Sequence, residues 1–128
     1  MGEIDNDILV DLLREAKDRD DKDIFVELMK EVYKRKLGNP NLMIEAIDII
    51  LDALDEWDWL DRMIEYTGNL VKQDPSDAQS KMELATYYYK KGELDKAEII
   101  LASSLELQDN MLTKHYLSRI RNQRSQKR

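Results

Sequence analysis

Twenty-seven acids, one histidine, six tyrosines and two tryptophans are what this 128-residue chain offers for chemistry. It has no cysteine, which removes disulfides and thiolate metal ligands. His115 stands alone, without a second His or a Cys to complete a zinc set, so no metal site and no cofactor is expected. No Gly-rich phosphate loop, nucleophile elbow or zinc spacing is present. Carboxylate pairs at helical spacing occur, but so many acids produce such pairs by chance. The chain is therefore read as a non-enzyme whose chemistry is binding by charge and by aromatic surface.

Two groups of residues suit that chemistry. Glu45, Asp48, Asp52 and Asp55 recur three or four residues apart, which puts them on one stripe of a helix. Glu56, Asp58 and Asp61 follow nearby, and together these acids suit a basic peptide or helix. The same stripe is also what a solvated helix face looks like. Trp57 and Trp59 flank a turn, where they serve either as hydrophobic anchors for a partner or as a cover for the end of a helix pair. The net charge is −7, yet Arg119, Arg121, Arg124, Lys127 and Arg128 crowd into the last ten residues without an acid. That segment suits nucleic acid, an anionic surface, or the chain's own acidic stripe, and equally a frayed solubilising end. It lacks an aromatic residue for stacking bases.

Helices must position these groups. Ile4, Ile8, Leu9, Leu12, Leu13 and Ala16 make one apolar stripe, and Ile24, Phe25, Leu28, Met29, Val32 and Tyr33 make a second. Residues 17–23 hold no apolar side chain and read as the turn between them. Asp5 or Asn6 is expected to cap the first helix, and Asp21 or Asp23 the second. Gly38-Asn39-Pro40 ends the second helix. The third, about 41–56, is the most apolar stretch. A fourth runs to about Gln73 before Asp74-Pro75-Ser76-Asp77. The fifth and sixth, roughly 77–91 and 94–107, meet at Lys91-Gly92-Glu93, and the seventh covers about 111–122. No segment alternates with period two, so the predicted class is all-α with about seven helices.

Pro40, Pro75 and Asp109 recur at intervals of 35 and 34, which signals stacked repeats. Residues 78–111 resemble one tetratricopeptide repeat. Leu84 and Ala85 supply its apolar and small positions, Tyr88 its aromatic, Gly92 its turn and Ala97 the small position of its second helix. Residues 44–77 resemble a degenerate unit, with Asp58 at the glycine site and Met63 at the alanine site. Residues 9–43 match through Ala16, Leu28 and Pro40, and the seventh helix resembles a capping helix.

The resemblance implies a superhelix of antiparallel helix pairs over 1–122, followed by a basic disordered tail, 123–128. It further implies a concave groove lined by the first helix of each pair. Glu45, Asp48, Asp52 and Asp55 fall on groove positions of the third helix, and Met82, Thr86, Tyr89 and Lys90 on those of the fifth. Tyr88 is expected in the core and Tyr87 between repeats. Family members that grip an acidic carboxylate use Lys, Arg and Asn, whereas Gln79, Met82, Glu83 and Thr86 stand here, so carboxylate capture is not expected.

The predicted function is an adaptor, chaperone or assembly factor that holds a partner segment, expected to be basic. Two alternatives stand beside it: a scaffold that self-associates through the third helix or the Trp pair, and a nucleic-acid-associated factor acting through its tail. The absence of cysteine, of a membrane span and of an apolar leader reads as cytoplasmic.

Overall fold

A computed structural model of the chain describes residues 4–126. Among these are seven α-helices and no strand: α1 (Asn6–Asp18), α2 (Lys22–Arg35), α3 (Pro40–Glu56), α4 (Leu60–Gln73), α5 (Ala78–Lys91), α6 (Leu94–Leu107) and α7 (Met111–Gln126). The all-α class and the helix positions agree with the apolar periodicity. The chain divides into two compact units, Met1–Ala53 and Leu54–Arg128, and the division falls inside α3.

In the first unit α1 packs against α2, burying Leu9, Val10, Leu13 and Ala16 with Phe25, Leu28, Met29 and Val32. Met43, Ala46, Ile47, Ile50 and Ala53 of α3 are also buried. Asp21 caps α2, accepting the Ile24 N–H at 3.3 Å. Asp5 holds the N-cap position of α1 without a side-chain cap bond, and the Asn6 amide instead donates to the Leu37 carbonyl at 3.1 Å. That bond ties the start of α1 to the connector after α2.

The second unit is built from neighbours in sequence. α4 packs on α5, α5 on α6, α6 on α7, and α5 also touches α7. The Asp77 carboxylate caps α5 by accepting from the Ser80 N–H at 3.0 Å and the Ser80 hydroxyl at 2.6 Å. Ala85 and Ala97 are fully buried, as expected where two helix backbones approach closely. Ser104 Oγ donates to the Ala78 carbonyl at 2.8 Å, and Lys81 Nζ to Ser103 Oγ at 2.7 Å, fixing the register of α6 on α5. Tyr87 is fully buried. Tyr88 is only half-buried, with the Lys96 ammonium 5.4 Å from its ring centroid, so the core position expected of Tyr88 belongs to Tyr87.

α7 extends beyond 122 to Gln126, so residues 123–126 are helical rather than a disordered tail; Lys127 and Arg128 lie outside the described residues. This helix pairs by charge with α6. Arg121 Nε donates to Glu98 Oε2 at 3.1 Å, and the Arg124 guanidinium pairs with Asp95 at 3.2 Å and with Glu98.

One turn recurs. α1 closes with the Asp21 N–H on Ala16 O and the Asp20 N–H on Lys17 O; α3 closes with Trp59 on Leu54 and Asp58 on Asp55; α5 closes with Glu93 on Tyr88 and Gly92 on Tyr89. Each is a Schellman motif with a left-handed residue just past the helix: Asp20 at φ 55°, Asp58 at φ 58° and Gly92 at φ 92°. Only the last is glycine. No neighbouring atom approaches a Cβ built on Gly92, so substitution there meets backbone strain alone. Gly92→Ala is expected to cost about 1 kcal/mol, read as a lowered urea midpoint at unchanged slope.

Candidate functional site

The acidic stripe lies where the spacing puts it, on the outer side of α3. Glu45, Asp52 and Asp55 are exposed and Asp48 is half-buried, while Ala46, Ile47, Ile50, Leu51 and Leu54 between them are buried. Glu45 pairs with the Arg14 guanidinium of α1. The last turn of α3 contains no basic residue. Met43, Ala46, Ile47, Ile50, Leu51, Ala53 and Leu54 of α3 are buried, while Leu42, Ile44 and Ile49 are half-buried.

The residues expected to extend this face on α5 stand differently. Met82 and Thr86 are buried at 2% and 0% exposure, so neither is presented to a partner in this state. Thr86 Oγ1 turns back to donate to the Glu83 carbonyl at 2.7 Å, satisfying its hydroxyl inside the helix. Tyr89 and Lys90 are half-buried. The Tyr89 ring meets Tyr116 edge-on, with centroids 6.1 Å apart, and its hydroxyl accepts from Gln123 Nε2 at 3.2 Å. α7 thus occupies the position expected for a partner at Tyr89. The basic segment could have been expected to cover the stripe on α3, but Arg121 and Arg124 pair with α6 instead. Spacing alone did not reveal this, because Asp95 and Glu98 meet Arg121 and Arg124 only through the packing of α6 on α7.

Glu83 is the most perturbed carboxyl. Burial raises its pKa from the ordinary value to about 7, against the hydrogen bond from Gln79 Nε2 at 3.0 Å, with the Asp77 carboxylate adding to the rise. Sequence pattern gave no sign of it, since an acid between apolar positions looks like any surface acid.

Trp57 and Trp59 meet edge to face at the α3–α4 corner, with centroids 5.3 Å apart and planes at 61°. Both indoles are half-buried and Asp58 between them is exposed. Asp61, in the first turn of α4, pairs with Lys91 at the end of α5, and that carboxylate raises the lysine's pKa. His115 packs edge-on against Tyr116 at 5.1 Å, and no cluster of three or more metal-ligating side chains exists among the described residues. No helix among them is long and apolar enough to cross a membrane.

The geometry supplies exposed carboxylates on α3 and a half-buried aromatic pair at the α3–α4 corner. No protein-family model matches the chain, and no curated protein or solved structure matches it.

Proposed function

We propose that this chain is a non-catalytic interaction module, an adaptor, chaperone or assembly factor, that captures a basic segment of a partner protein on the acidic face of α3. A tetratricopeptide-like stack is the proposed scaffold; the recurrent turn after α1, α3 and α5 supports it. The observation that carries the binding reading is the exposure of Glu45, Asp52 and Asp55 along a helix whose Ala46, Ile47, Ile50, Leu51, Ala53 and Leu54 are buried. A face of one sign attracts a segment of the other and sets its register more than it adds raw affinity. The absence of cysteine supports a reducing compartment such as the cytoplasm.

Charge reversal tests this directly. Asp48→Lys with Asp52→Lys is expected to weaken capture of basic partners from source lysate by about tenfold or more, with the far-UV circular dichroism unchanged. Undiminished capture by the folded double variant rejects the assignment of the face.

A further inference from the structure

We propose that Ser125, in the last turn of α7, is a phosphoryl acceptor for an arginine-directed protein serine kinase, and that the phosphate releases the end of α7 from α6.

The serines of the chain differ in what surrounds them. Ser80 and Ser104 are buried, and Ser103 is half-buried and accepts from Lys81 Nζ at 2.7 Å. Ser76 is exposed, but it lies between Asp74 and Asp77 and its hydroxyl donates to Asp74 Oδ1 at 2.6 Å, so these acids repel a phosphate there. Ser118 is exposed on α7 beside Tyr116, Leu117 and Ile120, which are buried. It cannot leave its helix without bringing them into water. Ser125 is exposed and lies past Ile120, the last buried residue of α7 among those described. Arg121, Arg124, Lys127 and Arg128 stand within four residues of it in sequence, and no acid does.

Residues 121–126 are held by charge and one hydrogen bond rather than by apolar burial. Arg121 Nε donates to Glu98 Oε2 at 3.1 Å, and the Arg124 guanidinium pairs with Asp95 at 3.2 Å and with Glu98. Gln123 Nε2 donates to the Tyr89 hydroxyl at 3.2 Å. Exposed pairs of this kind contribute little each. The turn therefore opens locally at small cost and can enter an enzyme cleft as an extended segment.

In the transfer, the Ser125 hydroxyl oxygen attacks the γ-phosphorus of ATP. The new P–O bond forms as the bond to the β–γ bridging oxygen breaks. ADP leaves with that electron pair, and the hydroxyl proton passes to the kinase's base. The product carries about two negative charges and three acceptor oxygens beside the arginines that clamp the helix. Arg121 lies four residues before Ser125 on the same helix face, and Arg124 is its chain neighbour. The phosphate competes for both guanidinium groups against Glu98 and Asp95. It also adds negative charge to a helix C-terminus, where the dipole disfavours it. Both effects act in one direction: the turn frays and uncovers Asp95, Glu98 and the Tyr89 hydroxyl.

Incubation of the full chain with ATP, Mg²⁺ and a purified arginine-directed serine kinase, followed by tandem mass spectrometry, is expected to place the phosphate on Ser125. Ser125→Ala is expected to lose it. Amide hydrogen exchange in residues 121–126 is expected to rise about tenfold on phosphorylation, with α5 and the first half of α7 unchanged. Asp95→Asn with Glu98→Gln is expected to raise exchange in the same residues without phosphate. Transfer that favours Ser118 or Ser76, or no transfer, overturns the site. Phosphate on Ser125 with unchanged exchange overturns the release. Equal exchange in Ser125→Ala and in the phosphorylated chain assigns the effect to the lost hydroxyl and overturns the release as well. Unchanged exchange in the Asp95 and Glu98 double variant overturns the holding of α7 by charge.

Discussion

Replacing Tyr116 with alanine is expected to lower the unfolding free energy by about 3–5 kcal/mol, the range for deleting a buried aromatic ring. Tyr116 is fully buried on α7. Its ring meets Tyr89 at 6.1 Å and His115 at 5.1 Å, both edge-on, and the Arg119 guanidinium lies 5.2 Å from its centroid. Truncation removes these contacts and leaves a cavity that Thr113, Leu117 and Ile120 cannot fill without moving the helix. The ion pairs of Arg121 and Arg124 do not compensate, because exposed pairs contribute little each. Urea denaturation followed by circular dichroism at 222 nm measures the loss, and Tyr116→Phe, which keeps the ring, should retain most of the stability. A loss below about 1 kcal/mol for the alanine variant contradicts the packing of α7 on α5.

The second large effect concerns Glu83 and pH. With its folded-state pKa raised to about 7, Glu83 keeps its proton in the fold at pH values where the open chain has lost it. Its contribution favours the fold fully below the unfolded value near 4 and fades as pH rises through 7. Above that, the buried carboxylate costs up to about 3 kcal/mol, since each pKa unit corresponds to about 1.4 kcal/mol. The Gln79 hydrogen bond and residual solvent access reduce that figure. Glu83→Gln is therefore expected to stabilise the protein by about 1–3 kcal/mol at pH 8 and to leave stability at pH 4 nearly unchanged. Denaturation midpoints of both proteins across pH 4–8 measure this; parallel profiles exclude a perturbed Glu83.

Helix number and position were readable because apolar residues at period 3.6 must face a core wherever the chain folds. The caps and stops were readable for a local reason: Asp21, Asp77 and Gly92 act on backbone groups a few residues away. The acidic stripe on α3 was readable as well, since the same periodicity that buries Ile47 and Ile50 leaves Asp52 and Asp55 outside. Met82 and Thr86 show the limit of that logic. Their helical phase suits a groove, but burial depends on what packs against α5, and phase alone does not say which side is covered.

The tyrosine run makes the same point within three residues. Tyr87 and Tyr88 differ by 100° around one helix, and a small error in the assumed packing direction exchanges the core residue with the edge residue.

The sequence by itself determined seven amphipathic helices, the caps at Asp21, Asp77 and Gly92, and the sign and location of the charge on α3, because each depends on neighbours within about four residues along the chain. Tertiary structure alone decided the division within α3, the burial of Met82 and Thr86, the raised pKa of Glu83 and the capture of Arg121 and Arg124 by α6. Each of these depends on surfaces brought together from distant parts of the chain, where desolvation and ion pairing act through space.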